Sequence, residues 1–137
     1  MIIDAKNMVL GRIATIAAKK ALMGEKVDII NCENAVITGN KQNVFEKYNR
    51  KSSMGSPAKG PFLARRSDMF VRRVIRGMLP YKQEKGRQAF KNIMCYMGVP
   101  KEFEGKKAEQ IKGADFSKIQ VLRYTTVGKV CMRLRNK

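Results

Sequence analysis

The sequence contains neither histidine nor tryptophan among its 137 residues. Without histidine the chain lacks the side chain that most often acts as a general base, and any histidine-dependent catalytic triad is excluded. Its eleven Asp and Glu residues form no pattern that is recognisable as a catalytic carboxylate pair. These absences predict a protein that is not an enzyme.

Cysteines are few and widely spaced. Cys32, Cys95 and Cys131 are odd in number and never form a Cys-x-x-Cys pair, which argues against a disulfide framework and against a zinc site. We interpret them as buried or incidental thiols. Neither a metal nor an organic cofactor is expected.

Long hydrophobic runs are also missing. No apolar stretch approaches the roughly 18 to 20 residues that a membrane span needs, so we expect no membrane association. The opening residues Met-Ile-Ile-Asp-Ala-Lys lack the features of a secretory signal. The sequence therefore predicts a cytoplasmic protein, and its length fits one domain over residues 1–137.

Basic residues are abundant and unevenly distributed. The chain has 29 Lys and Arg against 11 Asp and Glu, a net charge of +18. Residues 41–91 carry fourteen basic and three acidic groups, and residues 117–137 carry six basic groups and no acidic one, whereas residues 1–40 and 92–116 are nearly neutral. A purely solubilising surface would spread its charge, so this pattern predicts a scaffold with a face that binds a polyanion.

Strand and helix patterns alternate in the first half of the chain. Ile2 and Ile3 begin a short strand, and apolar residues from Leu10 to Ala21 recur at steps of three and four, which predicts an amphipathic helix that ends near Gly24. Further strands are predicted at 27–30 and 35–38, and a helix at 41–50. This alternation favours an α/β fold with a parallel sheet covered by helices.

The second half begins with a long basic loop at residues 51–66, rich in Ser, Gly and Pro. A helix is predicted from an N-cap at Ser67 to Leu79, a second helix from Glu84 to Ile93, and a strand at 94–97. Residues 105–117 read as a polar surface segment with some helical character. Residues 119–124 read as an edge strand or extended tail, within a basic tail at 117–137.

The helix predicted after Ser67 has two distinct faces. At about 100° per residue Val71, Val74, Ile75 and Met78 cluster on one side. Three arginines, Arg72, Arg73 and Arg76, occupy the other side. One face is therefore predicted to pack against the core and the other to bind.

The turn at Gly39 admits two interpretations. It follows a predicted strand and precedes a helix, which is where phosphate-binding loops occur. The Gly-x-x-x-x-Gly-Lys-Ser/Thr motif is absent, so a simple strand-to-helix turn is favoured. In that case its amides and Lys41 are still free to face an RNA phosphate.

Aromatic residues are too few for a platform that stacks single strands. The four tyrosines can stack on bases, but core packing with the hydroxyl at the surface is favoured. The expected mode is phosphate and shape recognition of folded RNA. For the basic residues, the alternative to RNA binding is an ordinary solvated surface. The glycines and prolines of the loop would let it follow an RNA surface closely, but ordinary turn formation explains them equally well.

The charge pattern selects a set of candidate RNA-binding residues. Arginine is prominent among them, and its planar guanidinium suits bidentate phosphate contact and base stacking. The candidates are Arg12, Lys19, Lys41, Lys47, Arg50, Lys51, Lys59, Arg65, Arg66, Arg72, Arg73, Arg76, Lys82, Lys85, Arg87, Lys91, Arg123, Lys129, Arg133 and Arg135.

Several short motifs, taken in order, resemble those of the universal large-subunit ribosomal protein number thirteen family. The matching segments are Val-Leu-Gly-Arg-Ile-Ala at 9–14, Ile-Ile-Asn-Cys-Glu at 29–33, Ile-Thr-Gly at 37–39, Arg-Gly-Met-Leu-Pro at 76–80, Gly-Arg at 86–87 and Tyr-Met-Gly-Val-Pro at 96–100. The resemblance implies a three-layer α/β/α sandwich around a small, mainly parallel sheet.

The sequence departs from the bacterial form of that family. It has no N-terminal extension before the first strand, no Gly-Tyr-Pro-Gly-Gly loop and no His-Pro-His stretch after Gly98. It is similar instead to the archaeal and eukaryotic branch. The candidate residues in the loop and after Phe103 are therefore selected by charge alone.

The resemblance implies a structural component of the large ribosomal subunit, with large-subunit ribosomal RNA and neighbouring large-subunit ribosomal proteins as partners and no small-molecule substrate. A free-standing RNA chaperone or regulator is the alternative within the binding class. An enzyme acting on nucleotides is a second alternative, for which the sequence offers no motif.

Overall fold

The structure is a computed structural model that describes residues 1–56, 58–116 and 123–136. Its strands are β1 (Ile2–Asp4), β2 (Val27–Ile30), β3 (Val36–Thr38), β4 (Ile93–Cys95) and β5 (Tyr124–Thr126). Its α-helices are α1 (Leu10–Leu22), α2 (Lys41–Ser52), α3 (Ser67–Gly77), α4 (Glu84–Lys91) and α5 (Val127–Arg135). Single 3₁₀ turns lie at Cys32–Asn34 and Lys101–Phe103.

A three-stranded parallel sheet lies at the centre of the fold in the order β1-β2-β4. Ile29 of the middle strand is opposite Ile3 on one side and Cys95 on the other. Ile29 and its neighbour Ile30 project to opposite faces of the sheet, and both are buried. Side chains on the Ile29 face are buried along all three strands, whereas on the opposite face Asp28 is half-buried and Met94 is exposed. The parallel strands and the helices that pack against them confirm the predicted α/β class.

A second, smaller sheet pairs β3 with β5 in antiparallel register, with Val36 opposite Thr126. It was predicted from sequence that residues 35–38 form a strand, and this is confirmed. Its partner is, however, close to the end of the chain. Because β5 leads directly into α5, this pairing places α5 beside α2.

Helix α1 follows the predicted apolar pattern. Ile13, Ala14, Ala17 and Ala21 are buried, and these small side chains allow α1 to pack closely against α3 and α4. The helix ends at Met23, followed by Gly24 with a φ of +91°. Glycine adopts that left-handed conformation without the steric cost that other residues incur.

Several boundaries in the middle of the chain differ from those predicted. Helix α2 continues through Ser52, so the basic loop begins at 53 rather than 51. Helix α3 ends at Gly77 rather than Leu79, and Met78 caps it with 44% of its surface exposed. The prediction that Met78 lies on the packed face was wrong because the helix has ended before it.

The start of α3 also differs. Arg66 occupies the N-cap position and no side chain caps the helix, so the prediction of Ser67 as N-cap was wrong. Ser67 is instead the first helical residue and is buried. Its hydroxyl lies within hydrogen-bonding reach of Cys131, which orients it into the core rather than towards the helix end.

The next two elements are close to the prediction. Helix α4 ends at Lys91, and Ile93 begins β4 instead of closing the helix, so the strand spans Ile93–Cys95 rather than 94–97. Gly86 explains how α4 is positioned. A Cβ at this residue would overlap the carbonyl oxygen of Pro80, so the turn that precedes α4 can approach the helix only at a glycine.

The C-terminal part of the chain departs most from expectation. Residues 105–116 form no α-helix, and their backbone runs beside β1, where the amide of Glu109 donates to the carbonyl of Ile2 at 2.8 Å. The predicted basic tail is replaced by β5 and α5 at Tyr124–Arg135. Residues 117–122, which include most of the strand predicted at 119–124, lie outside the described residues.

The buried side chains form one hydrophobic cluster that extends from Ile3 to Leu134. All three cysteines lie within it as free thiols, as predicted. A hydrogen bond with Cys32, together with burial, raises the pKa of Cys95, and burial raises the pKa of Cys131. None of the described helices has the length and apolar character to cross a membrane.

Candidate nucleic-acid interface

The candidate basic residues all fall within the described ranges, and all of them are exposed except Arg72 and Arg76, which are partly buried. Most of the candidates make no hydrogen bond or ion pair within the described protein. Two exceptions are paired with carboxylates: Arg66 contacts Asp68 at 2.8 Å, and Arg87 contacts Glu84 at 3.9 Å. Arg12 and Arg73 donate to backbone carbonyl groups, and the remaining candidates are available to an external anion.

One group of candidate basic residues lies where α2 packs against α5. A groove of about 510 Å³ runs between the two helices, and its lining consists of Lys41, Phe45, Lys129, Met132, Arg133 and Asn136. We call this the α2/α5 groove. Three of its residues are cationic and none is acidic, so it attracts negative charge.

Phe45 is the aromatic residue of this groove, and its ring contacts cations from both helices. The Nζ of Lys41 lies 5.8 Å from the centroid of the Phe45 ring, and the Cζ of Arg133 lies 5.0 Å from it. These distances fall within the range of cation–π contacts. The contacts position two cations from different helices around one partly buried aromatic ring.

Asn40 determines how α2 begins. Its side chain accepts a hydrogen bond from the amide of Gln42 at 3.1 Å and caps the helix. Gly39, with a φ of +121°, supplies the turn after β3. Gly39 therefore lies in a strand-to-helix turn, as both interpretations of the sequence required, and Lys41 is exposed in the first turn of α2.

A second group of arginines lies on α3 and faces α4. The Cζ of Arg72 is 4.6 Å from the centroid of Phe90, and the Cζ of Arg76 is 5.0 Å from the centroid of Tyr81. Phe70, Val71 and Ile75 are buried on the other side of the helix. The two predicted faces of α3 are thus present, and the arginine side chains are held in place by aromatic rings.

Arg72 and Arg73 also differ in their polar contacts. The Nε of Arg72 is buried and has no hydrogen-bond partner among the described residues, although the residue as a whole is only partly buried. Arg73 donates to the carbonyl of Phe62 at 3.3 Å and so ties the loop to α3. Part of the predicted binding face therefore supports local structure as well.

The basic loop folds back on itself instead of extending. Ser56 and Gly60 form an isolated bridge, and a Cβ at Gly55 would overlap the carbonyl oxygen of Gly60. The loop and the end of α2 enclose a cavity of about 540 Å³ that Arg65 and Leu134 also line. Lys59 and Arg65 are both exposed beside this turn.

Arg12 lies in a different environment from the helical groups. Its guanidinium group donates to the carbonyl of Gly113, and it lines a shallow cavity with Ile111 and Lys112. Lys19 is exposed in the last turn of α1. Neither residue lines the α2/α5 groove.

The tyrosines follow the prediction only in part. Tyr48 packs edge-on against Phe70 with ring centroids 5.1 Å apart, and burial raises its pKa. Tyr96 packs against Phe103 at 5.4 Å. Tyr81 and Tyr124, in contrast, are exposed by 42% and 47%, so the preference for core packing was wrong for these two.

Neither the place of Phe45 in this groove nor the helix α5 was predicted from the sequence. Val127, Val130, Cys131 and Leu134 are the buried residues of α5, and their spacing of three and four is the signal that would have revealed it. Thr126 is also a suitable N-cap, and its hydroxyl accepts a hydrogen bond from the amide of Lys129 at 3.5 Å. Without α5, the position of Arg133 beside Phe45 could not be foreseen.

Comparison with known proteins identifies a family and several relatives of this chain. The family model for Ribosomal protein L13 matches residues 1–102. The protein named large ribosomal subunit protein uL13 from Methanopyrus kandleri is 44% identical over 135 residues, 97% of this chain and 85% of its own. Its counterpart from Methanococcus maripaludis is 43% identical, covering 95% and 93% of the two chains, and that from Methanococcoides burtonii is 38% identical, covering 99% and 98%.

The small parallel sheet and the exposed cations from several helices define a basic α/β protein. The chain belongs to the ribosomal protein L13 family. Because this family consists of ribosomal proteins and not of enzymes, membership confirms the prediction of a non-enzymatic protein. The family was identified correctly from its motifs, and the relatives named above are archaeal, as the absence of the bacterial loops predicted.

Proposed function

We propose that this protein is a structural constituent of the large ribosomal subunit that binds ribosomal RNA through Lys and Arg contacts to phosphates. The observation that carries this proposal is the α2/α5 groove, in which cations distant in sequence surround one surface without an opposing carboxylate. Its curated relatives are named as proteins of the large ribosomal subunit. The protein would accordingly act in the cytoplasmic ribosome.

The mechanism of binding is electrostatic. A net charge of +18 in a chain of this length is self-repelling, and an RNA partner relieves that repulsion. Each phosphate that a Lys or Arg neutralises releases condensed counterions, so the observed affinity falls as salt concentration rises. The exposed cations of α2, α3, α5 and the loop supply these contacts where RNA helices approach one another.

Two arginines of α3 supply more than charge. Because Arg72 and Arg76 are held over aromatic rings, their guanidinium groups lose less conformational freedom when they bind a phosphate. A planar guanidinium also fits two phosphate oxygens at once. We therefore assign these residues to phosphate contacts that fix the orientation of the protein on RNA.

The nearly neutral segment at 92–116 suits contact with neighbouring ribosomal proteins. Met94, Met97 and Val99 expose 41%, 50% and 43% of their surfaces within six residues. Exposed apolar side chains in a region of balanced charge are typical of protein–protein contacts rather than of RNA contacts. This surface lies outside the groups of cations described above.

Co-sedimentation distinguishes a ribosomal constituent from a free-standing RNA chaperone. The tagged chain would be expressed in Methanococcus maripaludis, and lysates would be separated on sucrose gradients at low and at high salt. A ribosomal constituent is expected to remain with the large subunit at high salt because its contacts are numerous and partly enclosed. Loss to the top of the gradient at high salt would favour the chaperone.

A further inference from the structure

We infer that the α2/α5 groove binds a single unstacked nucleotide of the RNA, with its base against Phe45 and Arg133 and its phosphate beside Lys41 and Lys129. This inference rests on the proposed function and refines it, since it assigns base contact to one place on a surface otherwise described by phosphate contacts. It departs from the prediction made from sequence, in which too few aromatic residues were present for stacking.

The geometry around Phe45 is the first support. Two grooves share Phe45 and Arg133 in their linings: the α2/α5 groove of about 510 Å³, and a second of about 380 Å³ that Gln42, Glu46 and Asn49 also line. Because Glu46 is acidic, we assign the phosphate to the α2/α5 groove, which has no acidic lining residue. Volumes of this size are typical of sites for small planar ligands, which range from about 300 to 1,000 Å³. An aromatic ring that borders two open grooves is accessible to a base in a way that a core phenylalanine is not.

The chemistry of the lining is the second support. A nucleotide combines a flat, weakly polar base with a negatively charged phosphate, and the groove offers matching surfaces for both parts. Phe45 and the thioether of Met132, which is 60% exposed, provide polarisable apolar contact. Lys41, Lys129 and Arg133 provide positive charge, and Arg133 is additionally able to stack on a base.

Two other aromatic–cation pairs make weaker candidates. Phe90 under Arg72 and Tyr81 under Arg76 each have a single cation at the ring, and the cavity beside Tyr81 is about 220 Å³ with only Lys82 as a cation. Phe45 alone among the described aromatic residues has two cations within 6 Å of its ring centroid. The α2/α5 groove is therefore the position that we select.

The variant Phe45→Leu tests the inference because it keeps an apolar side chain in the core contact but removes the aromatic face. Affinity for large-subunit ribosomal RNA would be measured by filter binding across a salt titration. We expect Phe45→Leu to weaken binding between about fivefold and a hundredfold, the range for losing one stacked base. The slope against salt should stay the same, because no phosphate contact is lost.

A matched control comes from the neutral segment. Lys106 lies 5.4 Å from the ring of Phe103, so Phe103→Leu makes the same substitution in a similar Lys–Phe pair away from the groove. Phe103→Leu should bind RNA as the wild type does. Thermal unfolding of both variants would establish that each is folded before affinities are compared.

Ultraviolet cross-linking of the same complex gives a second readout. Mass spectrometry of the digested complex is expected to find a nucleotide attached to a peptide that contains Phe45 or Met132. Wild-type affinity of a folded Phe45→Leu variant, with no such adduct, would overturn the inference while leaving ribosomal RNA binding intact. A larger loss of affinity for poly-glutamate than for RNA would assign the groove to an acidic peptide instead, and would also overturn it.

If the wild-type chain itself showed no preference for ribosomal RNA, the proposed function would fail. That result differs from the outcomes described for Phe45→Leu and for cross-linking, which test only the nucleotide site. The two claims are thus separated by the behaviour of the wild type on the one hand and of Phe45→Leu on the other. Lys129→Gln provides a further contrast, because removal of a phosphate contact should lower the salt slope by about one.

Discussion

Each arginine of α3 has a different neighbour, and these neighbours determine how much of its role is structural. Arg72 lies over Phe90, Arg76 lies over Tyr81, and Arg73 donates to the backbone of Phe62. The sequence predicted that these arginines share one face, and this is confirmed. The aromatic partners could not be foreseen, because they come from α4 and the turn before it.

Replacing Arg72, Arg73 and Arg76 together by Gln is expected to leave the protein folded and to weaken RNA binding. The salt slope should fall by about two to three, since up to three phosphate contacts are removed. Loss of the two cation–π contacts should lower the free energy of unfolding by about 1 to 2 kcal/mol. Filter binding and urea denaturation measure the two effects.

The control for charge is a variant in which Lys101, Lys106 and Lys107 of the neutral segment are all changed to Gln. It loses three positive charges, as the arginine variant does, but from a different surface. Its effect on RNA affinity should be small. The control for the helix face is Ile75→Asp, which should unfold the protein because Ile75 is fully buried and an unpaired buried charge costs several kcal/mol. An unfolded arginine variant, or one with unchanged affinity, would show that the faces of α3 are assigned wrongly.

Because of the buried thiols, we expect the free energy of unfolding to depend on pH in the alkaline range. Hydrogen bonding with Cys32 and burial raise the pKa of Cys95, and burial raises the pKa of Cys131. In the unfolded chain these thiols ionise near pH 8.5, whereas in the folded protein they stay protonated. The free energy of unfolding should therefore be constant below about pH 8 and should fall as pH rises above 8.5.

Urea denaturation under reducing conditions between pH 7 and 10 would measure this dependence. Cys95→Ala is expected to be less stable at pH 7, because it leaves a small cavity, but to lose less stability between pH 8 and 10 than the wild type does. Parallel curves for the two proteins would contradict the assignment of the alkaline loss to this thiol.

At the scale of elements, α5 shows where prediction from sequence reached its limit. The helix has nine residues, too few to be stable alone, and it carries three cations that made the segment resemble a solvated tail. Its stability comes from burial against α2, α3 and the turn at Cys32–Asn34. Such contacts between distant segments leave only a weak local signal in the sequence.

Local patterns predicted the other helices more accurately. In α1 the apolar residues recur regularly over thirteen residues, and the structure reproduces that pattern. Boundaries were less accurate wherever they depend on tertiary contacts, as at Ser67, whose side chain turns into the core. The pairing of β3 with β5 was not predicted either, because the two strands are separated by more than eighty residues.

Deletion of residues 117–137 tests whether α5 is part of the core. Val127, Val130, Cys131 and Leu134 are at most 3% exposed, and loss of their burial should cost about 5 kcal/mol or more. That is comparable with the whole stability of a typical domain, so the truncated chain is expected to be largely unfolded by circular dichroism.

The matched control removes four of the six positive charges of this segment but keeps its apolar residues, by changing Arg123, Lys129, Arg133 and Arg135 to Gln in the full chain. This variant should remain folded. A cooperatively folded truncated protein with wild-type stability would show that the segment is a dispensable tail, as the sequence first suggested.

At the scale of the whole molecule, the exposed cations come from every α-helix and from the loop, yet they are concentrated unevenly. The groove between α2 and α5 and the arginine face of α3 together hold six of the eighteen Lys and Arg residues at 41–91 and 123–136. The neutral segment at 92–116 runs beside β1 and presents exposed methionines near β4. This separation is what a protein between RNA and protein neighbours requires.

Competition binding tests the central claim, specific recognition of ribosomal RNA, most directly. Large-subunit ribosomal RNA from Methanococcus maripaludis, whose own family member is 43% identical, would be titrated with the purified chain across a range of salt concentrations, with an unrelated structured RNA as competitor. We predict that affinity falls steeply with salt and that the ribosomal RNA still outcompetes the other RNA at moderate salt. Equal competition by both RNAs at every salt concentration would mean that the binding reflects charge alone, and would contradict the account.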